Sequence, residues 1–390
     1  MMVAAERPTV AEIDRAALIS NYRALTQHLE NAIKRDGSSD REVGGAPKVM
    51  AVVKADAYGH GASEVARTLA REGCGHFGVA TVAEGRELRQ AGISGRVYIM
   101  GGFFADQADE IVALDLTPFI IDSDRVRPLD DAAIAHGRTH FAVHLKVDTG
   151  ASRLGVNPAA LEAAIAEFRR CPSLYLEGAA TLLASAGDPS SGVTSEQLKR
   201  FEQARAQLKA AGFDLPIAHA ANSAAAVLRQ DANFNMVRLG LSLYGLPPVP
   251  SVRDLVDLKP VMTFKTRLMQ TKRIPEGAGV SYGHTYLAHR ETTVGILPVG
   301  YADGYRRGLQ HGGEVIIRGR RAAVIGAVCM DLTMIDVSDV PGASVGDEVI
   351  LWGGAGEAMI SVNDVARLAN TISYEMLCTV GRRVPRKYIG

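Results

Sequence analysis

The sequence predicts a two-part α/β protein: an N-terminal (β/α)8 TIM-type barrel over residues 1–250 and a C-terminal, mainly antiparallel β domain over 251–390. Three observations carry this reading. Eight short apolar runs recur before residue 245, near 48–55, 76–81, 97–101, 117–121, 141–148, 174–182, 217–221 and 236–243. Alanine-rich stretches with helical spacing lie between most of them, such as 63–71, 82–90, 161–170 and 196–210, and several end at a capping glycine, as at Gly73, Gly92 and Gly212. After Pro247-Pro248-Val249-Pro250, which reads as a linker, the period shortens. The runs 263–272, 292–298, 314–317, 323–328 and 348–352 alternate apolar with polar residues and are expected as antiparallel strands. Alternating βα units also suit a doubly wound open sheet; the count of eight favours the barrel.

Composition narrows the function classes. A chain of 390 residues exceeds one ordinary core, and 47% hydrophobic residues suffice for two. The 43 basic residues balance the 43 acidic ones, so neither nucleic acid nor an anionic membrane is expected as a partner. Cys74, Cys171, Cys329 and Cys378 lack CxxC spacing, which argues against structural zinc, any other metal site of that kind, or a disulfide framework, and suits a reducing cytoplasm. Met1–Pro8 has no basic region followed by an apolar core, and no apolar run reaches the roughly 18 residues of a membrane span, so neither a signal peptide nor an anchor is expected. Residues 37–47, rich in Gly and Ser, read as an exposed, mobile loop.

Chemistry concentrates in a few places. In VVKADAYGHG, Lys54 ends a β-branched run, and Gly59 and Gly61 open a helix-like segment. A lysine half-buried at the mouth of a parallel barrel can lose its proton and attack a carbonyl; a solvated one does little chemistry. Arg238 lies inside the apolar run VRLGLSL, where a guanidinium is costly unless paired. A structural salt bridge or a bound ligand satisfies that demand equally. Asn222-Ser223 in HAANSAA has the form of a helix N-cap.

Taken in order, VVKADAYGHG, LKVDTGASRLG, HAANSAA, MVRLGLSLYGL, VSYGHTY, VGYADG, CMDLTM and ISYEMLC with RVPR cover nearly the whole chain. This series resembles the fold-type III alanine racemases, isomerases that use pyridoxal 5′-phosphate (PLP). The resemblance implies that Lys54 carries the cofactor covalently. It implies phosphate contacts from Tyr58, Ser223, Gly240, Leu241 and Tyr374, and cofactor-side roles for Arg153 and His219. Arg238 would face the pyridine nitrogen and keep it unprotonated, since two positive charges in contact repel. Lys54 and Tyr282 would be the two bases, Lys54 for D-alanine and Tyr282 for L-alanine. A phenol works as a base near neutral pH only beside positive charge. Tyr282 lies in the C-terminal part, so a homodimer with shared sites is implied. Arg153, Met330 and Asp331 would meet the substrate, Tyr301 and Arg307 the entrance, and Lys146 aligns with a lysine carboxylated in some members. An ordinary lysine paired with an acid such as Asp148, or replaced in role by a bound anion, is the alternative at Lys146.

The chain departs from the family at three points. Leu182 stands where a histidine usually links the catalytic tyrosine to the arginine, and Gly187 where an acid is usual. His219 is expected to compensate in part for the missing imidazole. Ala151-Ser152 also replaces a more usual pair. The implied activity is alanine racemisation, supplying D-alanine for peptidoglycan. A racemase of other or broader specificity and a low-turnover PLP-binding protein are the alternatives.

Overall fold

The structure is a computed structural model and describes residues 7–36, 45–188, 190–356 and 358–390. Most of the loop expected over 37–47 lies outside the described residues. The chain divides into two compact units. One comprises Leu18–Ala57 and Ala62–Lys259; the other comprises Met1–Ala17, Tyr58–Gly61 and Pro260–Gly390.

The first unit is the barrel. Val10–Asp14 is strand β1, of the other unit. The barrel strands are β2 (Lys48–Val52), β3 (His76–Val79), β4 (Arg96–Ile99), β5 (Thr117–Ile120), β6 (Phe141–Lys146), β7 (Leu174–Ala180), β8 (Ile217–His219) and β9 (Met236–Leu239). They follow the order β8-β7-β6-β5-β4-β3-β2-β9, each neighbour parallel, as crossover connections allow. The eight expected runs are these eight strands, each ending before the polar residues of its following loop. Met50, Tyr98, Phe119, Ala180, Ile217 and Met236 fill the interior. Between β8 and β9 the seam has no ladder among the described residues. It is held instead by Arg238 N–H to Ala221 O at 3.0 Å and Ala218 N–H to the Asn235 carboxamide at 2.7 Å.

The second unit contains β10 (Met262–Arg267), β11 (Gln270–Ile274), β12 (Gly279–Val280), β13 (Tyr286–Leu287), β14 (Thr292–Leu297), β15 (Glu314–Ile317), β16 (Arg320–Ala323), β17 (Thr333–Asp336), β18 (Glu348–Ala355), β19 (Ala358–Ile360) and β20 (Arg386–Ile389). One sheet runs β16-β15-β18-β10-β1-β20 with β19 on β18; a second runs β11-β14-β17; β12 and β13 form a hairpin. Apart from β1–β20, the pairings are antiparallel.

Three expectations need correction here. The barrel does not begin at residue 1: β1 alternates partly exposed and buried positions, burying Ala11 and Ile13, and pairs with β10 and β20. Such alternation suits a sheet with one solvated face, not a barrel strand covered on both. The expected run 263–272 is two strands that part at Leu268-Met269 and join different sheets. The expected run 323–328 is mostly irregular, with Val324 making a single bridge to Ile335.

The segment after Lys54 is a left-handed helical turn. Ala55, Asp56, Ala57 and Tyr58 have φ of 52, 53, 53 and 55°. A left-handed turn costs L-residues about 1–2 kcal/mol each, so its surroundings must impose it. Ala57 N–H donates to Val53 O at 2.9 Å, Ala55 N–H to Glu84 Oε1 at 2.7 Å, and Ala62 N–H to Asp56 Oδ1 at 2.7 Å. At the end of the turn Gly59 has φ +78°, and a Cβ there would lie 2.3 Å from Leu377 O. Gly59→Ala adds this clash to a left-handed backbone. It is expected to lower the thermal unfolding midpoint by at least about 4 °C, the equivalent of about 2 kcal/mol in a domain of this size.

Candidate active site

The C-terminal ends of the barrel strands gather most of the residues singled out in the sequence. Lys54 follows β2, Lys146 ends β6, His219 ends β8, Ser223 opens the turn of helix Ser223–Leu228, and Gly240 and Leu241 follow β9. Arg238 is 8% exposed. Its Nη1 donates to His219 Nδ1 at 2.9 Å and His219 O at 3.0 Å; its Nη2 donates to Thr181 O at 2.7 Å and Ala220 O at 3.0 Å. Burial alone brings the guanidinium down to about 10, so it stays charged at neutral pH without a carboxylate beside it. Among the described residues this rules out the structural salt bridge. Its Nε–H is the one donor these bonds leave over, and an aromatic nitrogen acceptor suits it.

Around Arg238 lies a cluster of cations. Burial, then the charges of Arg238, Arg153 and Lys54, brings the Lys146 ammonium down to about 8. Asp148 does not pair with Lys146. Its Oδ1 accepts from the amides of Gly150, Ala151 and Ser152 at 2.9–3.1 Å and its Oδ2 from Arg153 N–H at 3.1 Å, which fixes the loop carrying Arg153. Gly240 N–H donates to Ser223 Oγ at 2.9 Å, which brings the ends of β8 and β9 together. Four cationic side chains, one unused guanidinium donor and a hydroxyl-amide pair fit an anionic heteroaromatic ligand such as PLP.

The other predicted residues belong to the β-sheet unit. Tyr58 and Tyr374 have ring centroids 5.9 Å apart. Burial, then Tyr374 and Cys378, raises the Tyr58 phenol, so it remains a neutral hydroxyl. Tyr282 is 75% exposed on a strained turn after the β12 strand: Ser281 has φ 62°, Gly283 69° and His284 42°. Ser281 Oγ anchors the turn on Ala327 O at 2.8 Å. The Ala302 amide donates to Met330 O at 3.1 Å, and Tyr301 N–H to Cys329 O at 3.0 Å, so the Tyr301 and Met330 segments are hydrogen-bonded to each other. Arg307, itself exposed, opens the short turn Arg307–Gln310.

Sequence reading missed the group that holds these turns. Fully buried Asp303 accepts from Arg7 and from Arg383 at 2.7 and 3.2 Å, while Arg383 also donates to Asp331 Oδ1 at 2.7 Å. The signal was present in VGYADG and RVPR, but their pairing spans 80 residues. Glu84 was missed likewise; its carboxylate accepts from the amides of Ala55, Ala80 and Thr81 at the strand ends.

At the departures from the family, the Leu182 carbonyl accepts from Gln197 Nε2 at 2.9 Å, and a Cβ on Gly187 would meet Val249 at 2.6 Å. The expected compensation by His219 fails geometrically. Both of its ring nitrogens are taken, by Arg238 and by His144 at 2.8 Å, so none is left for a tyrosine.

A (β/α)8 barrel with a lysine and a buried, carboxylate-free arginine at its mouth, in a chain with an antiparallel β unit, defines a two-unit class of enzyme. The comparisons agree. Residues 13–248 match the profile of the alanine racemase N-terminal domain and 261–388 that of its C-terminal domain; the chain belongs to the alanine racemase family. It is 40% identical over 382 residues to an alanine racemase of Halothermothrix orenii, covering 98% of this chain and 97% of that one. It is 42% identical over 384 residues to one of Symbiobacterium thermophilum, covering 98% of each. The solved alanine racemase from D-cycloserine producing Streptomyces lavendulae superposes with a TM-score of 0.90 at 34% identity, covering 98% of this chain and 97% of that one. No described helix is long and apolar enough to cross a membrane, and no described group of His, Cys, Asp or Glu forms a metal cluster.

Burial opposes ionisation of Asp303, but Arg7, Arg383 and the Gly300 amide outweigh it and hold the carboxyl low. Its stabilisation is therefore complete above the unfolded value near about 4 and is lost as pH falls through the lower folded one. Asp303→Asn is expected to cost about 1–3 kcal/mol, the low end because both arginines reach solvent. Thermal unfolding followed against pH should show this loss at neutral pH and a flatter acid side in the variant.

Proposed function

We propose that this protein interconverts L- and D-alanine with PLP as cofactor, acting as a homodimer in the cytoplasm and supplying D-alanine for peptidoglycan. The observation that carries the reading is Arg238: a buried, charged guanidinium with four donors spent on the protein and Nε–H left over at the mouth that also holds Lys54. PLP, when bound, supplies an electron sink that acidifies the α-hydrogen of an amino acid. Lys54 would hold it covalently, Arg238 would donate to its ring nitrogen and keep that nitrogen unprotonated, and Arg153 would meet its phenolic oxygen and the substrate carboxylate. Ser223, Gly240, Leu241, Tyr58 and Tyr374 would bind its phosphate.

Lys54 and Tyr282 would move the α-proton on opposite faces. Arg238 at the ring nitrogen would keep PLP a weaker electron sink, which would favour return of a proton over side reactions. Tyr282 stands outward with Met330, which is 52% exposed, on a face that a second copy would cover.

The shared site is tested by mixing. Lys54→Ala and Tyr282→Phe proteins should each be inactive, and Lys54→Ala should lack the yellow absorbance of covalently held PLP. After subunit exchange, half the dimers are mixed and one of their two sites is intact, so roughly a quarter of parental racemisation should return. Exchange without recovery would exclude a site shared between subunits.

The cation cluster bears on Lys146 as well. An amine brought down to about 8 is partly neutral at physiological pH and can add carbon dioxide, releasing one proton and becoming a carbamate anion. That anion would accept from Arg153 and remove one of four like charges. Carbon-13 NMR after labelled bicarbonate is expected to show a carbamate signal that Lys146→Arg abolishes; its absence, with Arg153 ordered, would leave an ordinary amine.

A further inference from the structure

Arg238 is the first member of a hydrogen-bonded chain that runs down the inside of the barrel. His219 Nε2 lies 2.8 Å from His144 Nδ1, and His144 Nε2 lies 3.2 Å from Glu177 Oε2. Glu177 is also paired with Arg96, the first residue of β4 and partly exposed. We propose that Glu177 is a positioning residue for the racemase site: it sets the tautomers of His144 and His219 in series, and so holds the guanidinium of Arg238 in one orientation. This rests on Arg238 facing the cofactor ring, as proposed above.

The chain has one permitted sense. Arginine can only donate, so His219 Nδ1 accepts and the proton of that ring sits on Nε2. His219 then donates to His144 Nδ1, and the proton of His144 also sits on Nε2, directed at a carboxylate that can only accept. The donor-only and acceptor-only ends agree on this direction, and the parental tautomers need both. An added proton has no place: on His144 Nδ1 it would confront the N–H of His219, and on His219 Nδ1 the N–H of Arg238. Burial, then positive charge from Arg238 and His144, puts His219 well below the ordinary imidazole range, and burial puts His144 below it. Burial raises the Glu177 carboxyl, but His144 and Arg96 outweigh that and bring it down to about 2.

The backbone is shaped for this contact. The β6–β7 register slips so that Val143 pairs with Leu176 and His144 with Gly178, leaving Glu177 as an inserted bulge residue. At the next position, a Cβ on Gly178 would lie 2.8–2.9 Å from the His144 ring. Tyr98 meets His144 edge-on at 5.1 Å, and Phe119 stacks on it at 5.8 Å and meets His219 edge-on at 5.3 Å. These walls keep both imidazoles dry. The charged and titratable groups bearing on Glu177 are Arg96, His144, His76, Tyr98 and Tyr175.

Reversing the chain would place an N–H of His219 against an N–H of Arg238 at 2.9 Å and push the guanidinium aside. Glu177→Gln favours this with little change of shape: Arg96, which can only donate, takes the carboxamide oxygen and leaves its NH2 facing His144 Nε2. Nitrogen-15 NMR of the labelled holoenzyme reads the tautomers directly. In the parent, His144 and His219 should both be neutral Nε2–H tautomers from about pH 5.5 to about pH 8.5, a range in which an ordinary histidine titrates. In Glu177→Gln at least one should turn to Nδ1–H. The kcat should fall about 10- to 100-fold, as for other supporting hydrogen-bond partners, with KM little changed. Glu177→Asp keeps an acceptor and should retain the parental tautomers and more of the kcat. A parent with either ring protonated or in the Nδ1–H form overturns the proposal, as does a Glu177→Gln protein with parental tautomers and parental kcat. A parent with both tautomers as stated but no racemisation overturns the activity proposed above while supporting the chain.

Discussion

A guanidinium inside a barrel loses several kcal/mol of hydration unless donors are matched by acceptors, and Arg238 meets this demand without a carboxylate. Its acceptors are the carbonyls of Thr181, His219 and Ala220 and one imidazole nitrogen. These carbonyls belong to the ends of β7 and β8, beside the seam where β8 and β9 have no ladder. The same side chain therefore helps to close the barrel and presents its remaining donor at the mouth. A carboxylate partner would satisfy the charge more simply, but it would also neutralise the site. Carbonyl dipoles and a neutral imidazole leave the positive charge intact.

That retained charge organises the rest of the mouth. Lys54, Lys146 and Arg153 lie close enough to bear on one another, and the nearby acid, Asp148, is committed to four backbone amides. A carboxylate committed to shaping a loop offsets the cations only in part: Asp148 favours the Lys146 ammonium, but burial and the neighbouring cations outweigh it. The barrel mouth is thus electrostatically incomplete without an anion, which is how a phosphorylated cofactor and a carboxylate substrate would be drawn in.

Backbone strain marks both groups of chemical residues. The turn after Lys54 holds four non-glycine residues in the left-handed region, and the turn bearing Tyr282 holds two more, Ser281 and His284. Each is pinned by specific acceptors: Val53 O, Glu84 and Asp56 at the first, and Ala327 O at the second. Such turns aim a lysine or a tyrosine where regular helix or strand geometry would not.

Periodicity and turn residues by themselves determined the eight barrel strands and the change to alternating strands near residue 260, and singled out Lys54 and Arg238; Tyr282 came only from the resemblance to a family. These features are local: a strand's apolar run, a capping glycine or a cation within an apolar stretch is visible within ten residues. Nothing local reveals that Val10–Asp14 belongs with β10 and β20, that the Lys54 turn is left-handed, or that Asp303 pairs with Arg383. Nor could it show that His219 has no nitrogen to spare, or that a one-residue slip between β6 and β7 directs Glu177 to His144. Register, handedness and hydrogen-bond sense are set by partners distant in the chain, so only the tertiary structure decides them.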